Sequence, residues 1–364
     1  MRRYRRVAST IAVLAMVVLA PAYGAGAVRP GSSFVSLWQP RAGKSRIVLE
    51  TFSLQDGRPV RTLESLPSWP ADVSSPHSSD GSLWMTVSSG PRYRNDTAGG
   101  DPAPSSCASR VVSFDPATSK TVTRLAFPSS MLVTDDVPSP DGQRIVMRAG
   151  GCSTSYFNQY LLVDDLRTGR QVTIGAAAAA CHALSSAAWS PDGSKLVFAY
   201  GPATSGQENQ PPGTCAEPHP SGLAVVSATH SSQVTASQLI APTPGCTYQS
   251  AAFDRRGIVG IEACTQGTPR QRGGVAPGVY LGDAYLVQLD SRGRLLLRLA
   301  LKPGSNPGTV VADPRTGLVL VSEDQGQEQR HTAYDWVWTF DGHALHNVGR
   351  YLFDGNAVVT AEPW

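Results

Sequence analysis

A turn that recurs ahead of an apolar run constrains this chain more than any other feature. Ser-Pro-Asp-Gly occurs at residues 139–142 and again at 190–193, each time followed by alternating apolar and β-branched residues. Related copies bring the total to six: SDGSLWMTVSS from Ser79, PDGQRIVMRAG from Pro140, PDGSKLVFAY from Pro191, RRGIVGIEAC from Arg255, PRTGLVLVSE from Pro314 and FDGNAVVTAE from Phe353. The turn chemistry is local. Proline fixes φ near about −65°, aspartate accepts from nearby backbone amides, and glycine tolerates positive φ. Such a turn reverses the chain between two antiparallel strands, so Asp141 and Asp192 read as turn formers rather than catalytic carboxylates. Short segments ahead of several turns, SSAAWS, QSAAFD, GTVVAD and GRYLFD, supply the preceding strand. Ala187, Ala188, Ala251 and Ala252 suit a strand crowded by other backbones.

A second element also recurs six times. Hairpins with polar turns begin at Arg46, Arg110, Gln159, Gly222, Ala284 and Tyr334, separated by about 50 to 64 residues. Two strands around each turn and two in each hairpin make a four-stranded antiparallel unit. Six units without an amphipathic helix predict an all-β, six-bladed β-propeller, with a pair of β-sandwiches as the alternative. The first hairpin has no turn-strand copy before it, and the last copy has no hairpin after it. Joining them gives one blade built from both chain ends. The strand around Ala357 to Thr360 is then expected beside the strand around Ile47 to Thr51.

WSPDGSKLVFAY and PSPDGQRIVMRAG resemble the TolB-type propeller repeat. The resemblance implies the fold over most of residues 45–364 and carries no function, because the matching residues are structural. No segment long enough for TolB's amino-terminal domain precedes the first hairpin.

The order of the first 27 residues is that of a secretory signal peptide. MRRYRR is basic, VASTIAVLAMVVLA is apolar, and Ala25-Gly26-Ala27 offers a small-residue cleavage site; an uncleaved anchor is the alternative. The expected division is a signal peptide at 1–27, an extension at 28–44 and the propeller at 45–364. The leader holds four arginines and no acidic residue, so its loss takes the formal charge from +3 to −1. That balance gives no electrostatic case for nucleic acid. Four lysines against 27 arginines resemble GC-rich bacterial coding. Secretion or association with the cell envelope is expected, as a monomer with no membrane span after cleavage.

The six cysteines, Cys107, Cys152, Cys181, Cys215, Cys246 and Cys264, all lie beyond the leader. An even count in an exported chain favours disulfides, and no close C-x-x-C pair suggests a metal. On the blade map, four follow second strands and two precede first strands, so all six are expected on one face. Neighbouring blades predict Cys107–Cys152, Cys181–Cys215 and Cys246–Cys264. The alternative, Cys152–Cys181 with Cys215–Cys246, leaves Cys107 to reach Cys264 across the ring.

Long loops at 89–108, 201–221 and 265–283 open on that same face, where binding residues usually sit. Tyr93, Arg94, Arg272 and Tyr280 are the candidate ligand-facing residues. No G-x-S-x-G elbow is present, so the likeness to dipeptidyl peptidase propellers comes without a hydrolase half. SSDGSLW from Ser78 departs from the sialidase Asp-box by lacking its spacer. His343 and His346 would fall on opposite faces of a strand. Asp135, Asp136, His182 and Arg350 are the titratable residues expected near the channel mouth. Two functions follow: a non-enzymatic scaffold binding a protein or cell-envelope ligand through its loop face, or a glycan- or ester-acting enzyme at the channel mouth. No catalytic, cofactor or metal residue is assigned, and no cofactor is expected.

Overall fold

The computed structural model describes residues 33–38, 47–66, 77–79, 81–89, 108–151, 160–175, 182–202, 221–264, 283–301, 306–313, 316–325, 333–353 and 362–363. These form six antiparallel sheets, the blades of a six-bladed β-propeller.

Blade 2 runs from inside to outside as His77–Ser79, Ser82–Ser89, Ala108–Asp115 and Lys120–Ala126. Blade 3 follows as Met131–Pro138, Arg144–Gly151, Tyr160–Asp165 and Gln171–Ile174. In blade 4 the inner strand is split into His182–Leu184 and Ala188–Trp189, both paired with Lys195–Pro202; Gly222–Ser227 and Leu239–Ile240 complete it. Blade 5 comprises Cys246–Phe253, Ile258–Cys264, Asp283–Leu289 and Leu295–Ala300. Blade 6 comprises Asn306–Asp313, Leu318–Gln325, Ala333–Phe340 and Leu345–Phe353.

Blade 1 is the composite one, and here the structure corrects the expected pairing. Its order is Glu362–Pro363, Ser33–Trp38, Ile47–Ser53 and Pro59–Leu66. The neighbour of Ile47–Ser53 is therefore Ser33–Trp38, with Val35 opposite Thr51, and not a carboxy-terminal strand. The carboxy-terminal strand sits one place further in, pairing Pro363 with Phe34 and Glu362 with Val35. Both chain ends do share the blade. The segment read as an extension supplies its second strand, and Ala357 to Thr360 lie outside the described residues.

The apolar core is distributed between blades rather than gathered in one mass. Six buried clusters each bridge two neighbouring blades, and together they go round the ring. The cluster joining blades 6 and 1 stacks Phe34 on Phe52 at 5.1 Å and packs them with Leu320, Val337 and Val348. Ala251 and Ala252 are buried in separate interfaces, on opposite faces of the same inner strand. Their small size lets backbone from both neighbours approach.

The turns behave as their residues require. Gly142 and Gly193 have φ of 65° and 68°, where a Cβ would be strained. Ser190 donates to Asp192, whose carboxylate also accepts from the Ser194 N–H, while the Lys195 N–H donates back to the Ser190 hydroxyl. Ser139, Asp141, Gln143 and Arg144 repeat that arrangement. Trp189, just ahead of the turn, donates its indole N–H to the Val137 carbonyl of the preceding blade at 2.8 Å. Arg144 lies over that ring at 5.0 Å and donates to the Gly193 carbonyl at 2.7 Å. One turn thus straps two blades.

These hydrogen bonds, led by the Ser190 hydroxyl, hold the Asp192 carboxyl down at about 2. A carboxyl depressed when folded contributes stability above its unfolded value near about 3.9, and loses it as pH falls through about 2. Asp192→Asn should therefore lower the thermal midpoint most above pH about 4. The gap between variant and wild type should close toward pH about 2; a gap independent of pH would contradict this role.

Candidate functional site

The end of blade 5 from which residues 265–282 depart is held by a buried polar cluster. Cys246 opens the inner strand and Cys264 closes the second, directly opposite one another in register. Their sulfurs are bonded, as the blade map predicts. Glu262, two residues earlier and so on the same face as Cys264, is almost wholly buried. A buried carboxylate needs partners, and three elements supply them. Thr243, in the connection entering the blade, donates its backbone N–H to Glu262 Oε1 at 2.8 Å, and its hydroxyl lies 3.0 Å from Oε2. Arg298 on the outer strand places Nε 3.3 Å from Oε2. The Tyr248 phenol is pushed well above its usual value, first by burial and then by the Glu262 charge.

Arg298 is fixed from below by Tyr285, whose ring centroid lies 3.6 Å from the guanidinium carbon. Its Nη2 then reaches Cys264 Sγ at 3.1 Å and Cys246 Sγ at 3.6 Å. All four strands and the entry connection are thereby tied at one end. The two sulfurs and a Glu262 oxygen lie within 4.8 Å of one another. With the sulfurs bonded to each other, the pair offers no thiolate to a metal.

A second polar cluster sits on the inner strand of blade 3. The register of Met131–Pro138 against Arg144–Gly151 shifts between Thr134 and Val137, leaving Asp135 and Asp136 in a bulge. Asp135 takes φ of 52°, uncommon for a residue with a Cβ. Its carboxylate pairs with Arg148, which also donates to the Thr134 hydroxyl and to the Leu184 carbonyl of blade 4 at 3.0 Å. Asp136 is fully buried and accepts from the Thr86 hydroxyl of blade 2 at 2.7 Å. Three blades therefore converge on this bulge, and its two carboxylates serve as inter-blade links.

The other candidates are placed as follows. Asp165 caps its hairpin turn, accepting from the Arg167 and Thr168 N–H groups. His346 Nε2 lies 2.8 Å from Asp341 Oδ2 within a single hairpin, while His343 stands in the turn. His182 and Arg350 lie in an inner and an outer strand, with only their backbone described. Tyr93, Arg94, Arg272, Tyr280, Cys107, Cys152, Cys181 and Cys215 lie outside the described residues.

Sequence reasoning passed over Thr243, Glu262, Arg298 and Arg148. One signal was present: Glu262 is a lone charge in the apolar run IVGIEAC, and a charge in a buried strand demands a partner.

No protein-family model and no curated protein matches the chain. Among solved structures, a protein from Agrobacterium tumefaciens named for TolB is similar at 10% identity and TM-score 0.48, over 92% of this chain and 98% of that one. An oligogalacturonate lyase in complex with manganese is similar at 14% identity and TM-score 0.41, over 90% and 86%. A prolyl endopeptidase is similar at 12% identity and TM-score 0.39 over 77% of this chain, which spans only 43% of that enzyme's length. Among the described residues, no helix is long and apolar enough to cross a membrane.

Proposed function

We propose that this six-bladed propeller is an exported, non-enzymatic scaffold that binds a protein or cell-envelope ligand through the loops at one face. The observation carrying the reading is the braced end of blade 5. Cys246–Cys264, Glu262, Thr243 and Arg298 fix both ends of the 265–282 loop to a rigid sheet. A loop with fixed ends loses less conformational freedom on binding, so more of its interaction energy appears as affinity. The loop sequence, TQGTPRQRGGVAPGVYLG, contributes Arg272 and Tyr280, residue types enriched at binding hot spots. The disulfide supports export, since such bonds persist in oxidising compartments.

Co-sedimentation with isolated cell envelopes tests this. Replacing residues 265–282 by a short Gly-Ser linker, with Cys264 kept, should leave the far-ultraviolet spectrum intact and weaken retention by about tenfold or more. Equal retention of variant and wild type, or no retention of the wild type, would overturn the reading.

A further inference from the structure

We propose that Cys246–Cys264 is a site of thiol–disulfide exchange in which Cys264 is the departing sulfur. The inference rests on the surroundings of the bond and is independent of the binding function above. Exchange is faster when the leaving sulfur is the better-stabilised thiolate, and an adjacent cation provides that stabilisation.

The two sulfurs are not equivalent in this respect. Arg298 Nη2 is 3.1 Å from Cys264 Sγ and 3.6 Å from Cys246 Sγ. The guanidinium cannot readily swing to the other sulfur, because the Tyr285 ring lies against it and Glu262 holds its Nε. The charged and titratable groups around the pair are Arg298, Glu262, Tyr248 and the exposed Asp283, cross-strand neighbour of Cys264. Glu262 opposes a nearby thiolate. Its charge, however, is spread over the hydrogen bonds from Thr243 as well as Arg298, which leaves the guanidinium as the cation touching the sulfurs.

The exchange uses a small external dithiol as reductant. Its thiolate attacks Cys246 Sγ, the S–S bond breaks, and the electron pair leaves on Cys264 Sγ beside Arg298. The reductant's second thiol then attacks the mixed disulfide and expels Cys246, which takes up a proton. Two electrons pass to the protein, and the reductant departs as its own disulfide.

Exposure runs against this order and makes the test discriminating, since Cys246 is 9% exposed and Cys264 5%. The full-length protein is treated with dithiothreitol without denaturant, pulsed briefly with iodoacetamide near pH 6, and mapped by peptide mass spectrometry. Cys264 should carry about tenfold more early label than Cys246, the ratio produced by about one unit of difference in thiol acidity. Arg298→Gln should bring the ratio toward one, and Arg298→Lys should restore part of it. Should Arg298→Gln fail to fold, the wild-type ratio decides alone. Equal labelling of the two sulfurs, preferential labelling of Cys246, or a bond that opens only when the near-ultraviolet spectrum is lost would overturn the proposal.

Discussion

Deleting residues 354–364 should lower the thermal midpoint by about 10 °C or more and broaden the transition across the whole ring. The deletion removes the strand Glu362–Pro363, leaving Ser33–Trp38 as an unpaired inner edge of blade 1. Phe34 and Val35, both fully buried, lose their cover on that side. Each such side chain is worth about 1.5–3 kcal/mol when burial is complete, and a chain of this size loses about 2–4 °C per kcal/mol. The effect should not stay local, because the cluster joining blade 6 to blade 1 depends on Phe34 and Phe52. A calorimetric trace unchanged by the deletion would show that the ring is held shut by something other than this pairing.

Trp189→Ala should cost about 3–5 kcal/mol in urea denaturation, the range for emptying a buried aromatic position. Trp189 packs in the blade 3–blade 4 cluster with Val146, Leu161 and Phe198. Its indole holds the Val137 carbonyl and its ring face receives Arg144. Trp189→Phe keeps much of the packing and loses chiefly the hydrogen bond, so about 1–2 kcal/mol is expected. Equal losses for the two variants would mean that burial at this position contributes little, contrary to the packing.

The repeat was legible because its information is local. Pro191, Asp192 and Gly193 form their turn with partners no more than a few residues away, and the sequence shows them all. Cys246–Cys264 followed from the same logic, since adjacent strands joined by a short turn bring their far ends together. Ser33–Trp38 was missed because no turn motif introduces it, and SFVSLW is too short an apolar run to announce a strand unaided. The pairing of the carboxy-terminal strand was misplaced by one position for the same reason. The polar clusters were out of reach on other grounds. Thr243, Glu262 and Arg298 meet only after four strands are assembled, and Arg148 finds Leu184 across a blade boundary. Contacts made by tertiary closure leave no periodic trace along the chain.

The pairing of Phe34 with Pro363 also sets a clock. Ribosomes add about 5–20 residues per second, so Ser33–Trp38 waits on the order of tens of seconds for the strand that covers it. During that interval five blades can form in sequence while the first stays incomplete. Its open edge is free to pair with any other extended chain nearby. Yield on expression should therefore respond to growth temperature and to holding chaperones more strongly than the stability of the finished ring would suggest.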